Sequence, residues 1–324
     1  MNQTYLDTAR LLTQIAPLAF VDDTFALKGG TAINLFVRDM PRLSVDLDLV
    51  FPDYTLSRDK ALARINDAIR QAAERLKQRG FQTYAPAADA GETKLLVRRG
   101  RIEVKIEVNF VMRGTVQPVR LASLTPAARE ALMADLDIPV VSLEDLYGGK
   151  LVAALDRQHP RDLFDVMQLF AHEGITPGIR RAFLVYLVSS SRPVHEVLFP
   201  ALRDIRRDYE LSFQGMTAEP VPLDALLAAR ERMVRELQQG LDDDERRFLL
   251  SLVAGAPDWS LLNIAHLEHL PGIRWKLHNL AQLRKTNAKK FTEQADTLTA
   301  RLDATGSGAA VRTHDGARTR PTVP

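Results

Sequence analysis

Asp46 and Asp48 stand two residues apart in the run Ser44-Val45-Asp46-Leu47-Asp48-Leu49-Val50-Phe51, where carboxylates alternate with apolar side chains. Residues i and i+2 of a strand share a face, so an extended chain here sets both carboxylates side by side. Like charges so placed repel unless they are solvated or hold a cation. A pair of oxygen ligands suits a hard divalent ion such as Mg²⁺, which commonly also carries substrate phosphates. Surface strands often bear such pairs with no metal. Here Val45, Leu47, Leu49, Val50 and Phe51 supply a buried opposite face, and the pair rides on an anchored strand.

Lys28-Gly29-Gly30-Thr31 lies upstream. Paired glycines let backbone approach a ligand closely, and a helix starting after them offers unpaired N–H groups to phosphate. Thr31 has two readings, a phosphate contact or a helix cap. The Walker spacing is absent from this run and from Gly148-Gly149-Lys150. In RIEVKIEVNF, Glu103, Lys105, Glu107 and Asn109 fall on one strand face, so Glu103 or Glu107 can bring a third acid beside the pair. Lys150 and Arg157 lie two helical turns apart on one face, followed by Arg161, Asp162 and Asp165. Two readings stand open for that block: a salt-bridge cluster bracing two helices, or a phosphate-facing cation. His266 and His269 have helical metal-ligand spacing but read better as a solvated face, and no Ser-His or Cys-His arrangement is visible.

These residues need elements to hold them. The periodicity predicts helices over 3–19 and 57–79, the latter ending at Gly80, and a helix from near Thr31. SVDLDLVF, FQTYAP, TKLLVRR and RIEVKIEVNF predict strands. From Ser142, which with Asp145 forms a capping-box signature, helical periodicity dominates over 161–172, 179–190, 195–210, 222–239, 242–253, 258–268 and 272–302. The expected fold is α/β (α+β): an N-terminal lobe over 1–138 with a small mixed sheet, and a mostly helical C-terminal lobe over 139–302. Residues 303–324, poor in bulky apolar side chains, are expected to be a disordered tail.

The 324-residue chain is 46% apolar and 26% charged, ordinary values for a globular protein, and its net charge of +2 points to no nucleic acid by itself. Local clustering does. Residues 274–290 carry six Lys and Arg and no acid, with Arg274, Trp275, Lys276, Arg284 and Lys285 as candidates for phosphate contact and base stacking; Arg203, Arg206 and Arg207 add a second basic turn. The absence of cysteine excludes disulfides, thiolate metal sites and a cysteine nucleophile. The apolar stretch LLTQIAPLAFV has the wrong flanks for a signal peptide, no stretch is long enough to span a bilayer, and a cytoplasmic location is expected.

Taken in order, KGGTAINLF, RLSVDLDLVF and the later acidic strand resemble the nucleotidyltransferase superfamily related to DNA polymerase β, and more narrowly the AbiEii-type nucleotidyltransferase toxins of two-gene toxin–antitoxin systems. Lys105-Ile106-Glu107-Val108, the run GGKLVAALDRQHPRDLFDVMQLF and IRWKLHNL resemble further blocks of that family, over roughly residues 25–290. The gap from Thr31 to Asp46, with Pro41 inside it, is long for the motif. The resemblance implies a nucleotidyltransferase fold and transfer of NMP from an NTP. It implies that Asp46, Asp48 and Glu107 hold two Mg²⁺ ions, with Mn²⁺ as an alternative. Lys28, Gly29, Gly30, Thr31, Ser44, Lys150 and Arg161 would bind the nucleotide, and Asp162 and Asp165 would shape the same pocket. It further implies the tRNA 3′ end as acceptor, blocking translation, and an antitoxin encoded alongside that need not bind tightly. A catalytically silent binding module and transfer to a protein hydroxyl or a small molecule are the competing expectations.

Overall fold

The computed structural model describes residues 3–86 and 92–310. One seven-stranded mixed sheet organises the first part of the chain, in the order β3-β4-β5-β2-β1-β7-β6. The strands are β1 (Ala26–Lys28), β2 (Leu47–Val50), β3 (Gln82–Tyr84), β4 (Glu92–Arg99), β5 (Ile102–Asn109), β6 (Arg120–Ser123) and β7 (Asp137–Val140). β2 runs parallel to β5 and β1 parallel to β7, while the other neighbours are antiparallel. The alternation in β5 does what period-two patterning requires: Val104, Ile106 and Val108 are buried, and Glu103, Lys105, Glu107 and Asn109 take the other face.

Helices α1 (Gln3–Ala19) and α3 (Arg58–Gln78) pack on the apolar side of this sheet and on each other. In α3, Ala61, Ile65, Ile69, Ala72 and Leu76 form the buried stripe. The chain leaves it through Gly80 at φ 82°, a left-handed conformation that glycine adopts without strain.

Helix α2 begins at Gly29, two residues before the expected start, and after Ala32 continues as a π-helical turn over Ile33–Val37. That turn and a left-handed Met40 (φ 54°) take up the long gap before Asp46. The expected strand SVDLDLVF shortens to β2, because β1 ends at Lys28, the last residue paired with it, and leaves Ser44–Asp46 without a ladder partner there. Strands β6 and β7, with α4 (Pro126–Leu132) between them, were not anticipated, and β7 straddles the expected lobe boundary.

The remaining helices are α5 (Leu143–Arg157), α6 (Pro160–Ala171), α7 (Pro177–Ser189), α8 (Val194–Leu198), α9 (Arg206–Ser212), α10 (Leu223–Gln239), α11 (Asp243–Val253), α12 (Pro271–Thr286) and α13 (Ala288–Ala310). The helix expected over 195–210 is two short ones with Pro200 between them, 258–268 is two 3₁₀ turns, and 272–302 breaks at Asn287. Helix α13 runs to Ala310, into the stretch expected to lack structure, with Leu298 and Leu302 buried in the core; residues 311–324 lie outside the described ones. Helices α5 and α7 lie against each other at Gly148, where a Cβ would stand 2.8 Å from the backbone of Ala182 and Phe183. Any larger residue there must push the two helices apart.

Candidate active site

Pairing register brings the acids together. Asp48 on β2 is the partner of Glu107 on β5, Lys28 on β1 is the partner of Asp48, and Lys94 on β4 is the partner of Glu107. One row across the open face of the sheet therefore runs Lys28, Asp48, Glu107, Lys94: cation, acid, acid, cation. Glu103 lies further along β5, opposite Arg98, with which it forms an ion pair. Glu107 is thus the residue beside Asp48. Asp46 precedes β2 and is half-buried; Thr31 Oγ1 donates to its carbonyl at 2.5 Å and stands 3.0 Å from Ser44 Oγ. The buried Thr31 hydroxyl is accordingly spent on holding the Asp46 backbone, as Ser44 is spent on Thr31.

Burial pushes the Asp46 carboxyl pKa upward; Lys105 and Arg161 oppose the rise, and the negative charges of Asp48 and Glu107 add to it. Glu107 is itself drawn to Lys105 (3.1 Å) and Lys94 (3.4 Å), and among the described residues no three acidic or imidazole side chains already converge as a metal site. The donor set is all carboxylate oxygen, and at Asp46 burial and two neighbouring acids disfavour the charge, which fits a hard divalent cation held by Asp46, Asp48 and Glu107. Gly29 has φ 77°, and a Cβ there would overlap Asp48 Oδ2, so this carboxylate rests directly on the backbone of the turn. At Gly30 a Cβ would stand 2.7 Å from Arg42 Nη2.

A second charged cluster lies behind that turn. Asp165, fully buried, accepts from Arg42 through both oxygens (2.8 and 2.6 Å), from Asn34 Nδ2 (3.0 Å) and from Lys150 Nζ (2.9 Å). Lys150 also reaches Asp162 at 2.8 Å, and Asp162 meets Arg157 at 2.9 Å. Burial alone would raise the Asp165 pKa, but Arg42 and Lys150 with their hydrogen bonds hold it well below the usual carboxylate range; Asp162 is lowered against the same opposition by Lys150 and Arg157. The ammonium of Lys150 is kept charged by the two aspartates despite its burial. Lys150, Asp162 and Asp165 therefore form the interhelical brace, while Lys150 also lines the cleft described next. Arg42, the member of this cluster that spacing alone did not single out, comes from a segment whose position beside α6 no local pattern reveals.

A cleft of about 550 Å³ opens at the Lys28 and Asp48 end of the row. Lys28, Gly29, Gly30 and Asp48 line it together with Gly149, Lys150 and Arg157 from α5, Tyr186 and Ser190 at and after α7, and Trp275 from α12; Asp46 and Glu107 are not part of its wall. Trp275 is 47% exposed and lies 6.1 Å from the His278 ring, roughly parallel to it. Arg161 lies in the first turn of α6, its N–H donated to His159 Nδ1 at 3.2 Å, with its charge felt at Asp46. Arg274, Arg284 and Lys285 are exposed on α12. Lys276 is not: it is buried, donates to the carbonyls of Ser190 (2.8 Å) and Arg192 (2.6 Å), and burial pushes its pKa down to about 8. It fastens α12 to the turn after α7 and is unavailable to a phosphate backbone.

Asp145 keeps only half of its expected capping box. Its N–H is donated to Ser142 Oγ at 3.1 Å, while its carboxylate accepts from Val116 N, Gln117 N, Ser142 Oγ and Tyr186 OH, tying the β5–β6 loop to α5 and α7. His266 packs on Tyr54 and bonds the Thr115 carbonyl at 2.8 Å, and His269 is exposed, so the two do not form a metal pair.

Residues 10–279 match the family described as nucleotidyl transferase AbiEii toxin of type IV toxin–antitoxin systems. No curated protein matches in sequence. Among solved structures, MenT4, a nucleotidyltransferase toxin from Mycobacterium tuberculosis H37Rv, superposes with a TM-score of 0.57 at 20% identity, covering 85% of this chain and 94% of that one. At that identity the likeness speaks for the fold. No helix of the described residues is long and apolar enough to cross a membrane. The family match spans most of the sequence and includes the glycine turn, the paired aspartates and the Lys150 block, and the chain belongs to the AbiEii nucleotidyltransferase toxins.

Proposed function

We propose that the chain transfers a nucleoside monophosphate from an NTP to the 3′ end of tRNA, with Asp46, Asp48 and Glu107 as ligands for Mg²⁺. The observation that carries this reading is the pairing of Asp48 with Glu107 across β2 and β5, with Asp48 lining a cleft that Gly29, Gly30 and Lys150 also line. Bound there, divalent cations would supply charge neutralisation for the triphosphate and a lowered pKa for the attacking hydroxyl. The acceptor oxygen bonds to the α-phosphorus while the bond to the bridging oxygen breaks. Pyrophosphate leaves with that electron pair, and the hydroxyl proton passes to a site carboxylate or water.

Gly29 and Gly30 let backbone lie against the triphosphate, and Lys28 and Lys150, which both line the cleft, offset its charge. Thr31 and Ser44 act by holding the Asp46 backbone, and Asp162 and Asp165 by holding Lys150. Arg161 sits on the carboxylate side of the same turn. Trp275 offers a stacking surface for the terminal base of the acceptor, and Arg274, Arg284 and Lys285 continue as cations along α12. A cytoplasmic setting and a co-encoded antitoxin that need not form a tight complex complete the reading.

The test is incubation with Mg²⁺, each α-³²P-labelled NTP and total tRNA, beside an Asp48→Ala control. Label in tRNA that the variant loses is the expected result. Label on the protein itself would move the acceptor to a side-chain hydroxyl, and no transfer of any label would return the chain to a binding role.

A further inference from the structure

Arg42 is 3% exposed and pairs with Asp165, and its guanidinium Nη2 lies so close behind Gly30 that a Cβ there would stand 2.7 Å from it. Asn34 extends the same contact, donating from Nδ2 to the Gly30 carbonyl at 2.9 Å and to Asp165 Oδ1. Gly30, Arg42, Asn34 and Asp165 are therefore one hydrogen-bonded unit joining the glycine turn to α6.

The charges of that unit bear on the cleft. With Lys150 and Asp162, which join it through Asp165, its buried ionic groups are Arg42, Lys150, Asp162 and Asp165, two of each sign, with the exposed Arg157 beside Asp162. Lys150 alone would face two carboxylates, and the buried group would present a negative balance to an incoming triphosphate. Two carboxylates near a polyanion are repulsive in a site partly withdrawn from water. With its bidentate grip from the side away from the cleft, Arg42 cancels one of them.

We propose that Arg42 is a positioning residue of the nucleotide site: by neutralising Asp165 from behind and backing Gly30, it offsets part of the negative charge that surrounds the paired Lys150 ammonium, so that the cluster does not repel the triphosphate. The proposal rests on the reading that Lys150 faces the NTP. Its consequence is that nucleotide affinity follows the charge balance of the cluster rather than the presence of arginine as such.

The test measures, by titration calorimetry in Mg²⁺, binding of the α,β-methylene analogues of the four NTPs to wild type and to Arg42→Met, Asp165→Asn, their double variant, Arg42→Lys and Lys150→Met. Circular dichroism checks folding of each. Arg42→Met is expected to weaken binding about ten-fold. Asp165→Asn is expected to tighten it several-fold, the double variant to return close to wild type, and Arg42→Lys to recover most of the loss. Steady-state transfer should show the Arg42→Met defect in KM more than in kcat. If Arg42→Met does not fold, the comparison of Asp165→Asn with the double variant decides. Equal affinities in those two, with Lys150→Met weakened, would overturn the role of Arg42. Undiminished binding in Lys150→Met would instead remove the reading of Lys150 on which it stands.

Discussion

The molecule brings two groups of acids to the same glycine turn, Asp48 against Gly29 and Asp165 linked to Gly30 through Asn34, and they are treated in opposite ways. Asp162 and Asp165 are buried, each oxygen is met by a cation or amide, and their pKa values are held down. Asp46, Asp48 and Glu107 lie on or beside the central strands β2 and β5, with Asp46 pushed up by burial and by its acidic neighbours. Satisfied carboxylates stabilise a fold; crowded ones store repulsion that a bound cation relieves. The contrast separates the acids that build the site from those that would bind within it, although all five stand in one family-like pattern.

The largest effect expected from breaking this contrast is on activity. Asp48→Ala should lower nucleotide transfer about 10³-fold or more while leaving thermal unfolding within about 2 °C of wild type, because the carboxylate is removed from a ligand set and not from a brace. A matching drop in Tm would show that Asp48 belongs with the structural acids. Asp165→Ala should do the reverse in stability, costing about 3–5 kcal/mol by leaving Arg42 and Lys150 partly unpaired in the interior. Denaturant unfolding curves measure it, and a cost below about 1 kcal/mol would deny the brace its role.

Metal addition sharpens the comparison at the other cluster. Millimolar Mg²⁺ should raise the Tm of wild type by about 2–3 °C and leave Asp46→Asn unmoved, since a ligand stabilises only the state that binds it. Asp46→Asn should itself melt at or slightly above the metal-free wild type. A lower melting point would mean that the Asp46 charge is already satisfied.

Acid provides the mildest probe, and the two clusters carry opposite signs. For Asp162 and Asp165 the folded pKa lies below the unfolded value, so their stabilisation is complete above about pH 4 and is lost as pH falls through that value toward the folded pKa. For Asp46 the folded pKa is raised, so protonation at mildly acidic pH favours the folded state. Unfolding followed by circular dichroism from pH 7 to pH 2 should show a steep loss below about pH 4 that Asp165→Asn makes shallower.

Much of the site was legible in local sequence because its parts obey short-range rules. The glycine turn, the alternation of Asp46 to Phe51 and of Ile102 to Phe110, and the two-turn spacing of Lys150 and Arg157 each follow from one element's own period. What could not be read locally was register and long-range pairing. Glu107 rather than Glu103 stands beside Asp48 because β2 runs parallel to β5 in one particular alignment. Arg42 meets Asp165 across more than a hundred residues of chain. Lys276 looks like one more cation of a basic helix until its neighbours Ser190 and Arg192 are placed against it. Strands β6 and β7 were missed for a related reason: Arg120–Ser123 is largely exposed on both faces and lacks a buried alternation to announce it.

The latch at Lys276 ties the completeness of the cleft to the order in which the chain is made. The glycine turn, Asp48 and Lys150 are all present in the first half of the polypeptide, whereas the wall bearing Trp275 arrives only when α12 is synthesised and its buried ammonium reaches the carbonyls of Ser190 and Arg192. A chain stopped before that helix would carry every acid of the row yet have an open trough in place of a cleft. For a toxin made beside the translation machinery, the far wall is thus a component added last, and a truncated product lacks it.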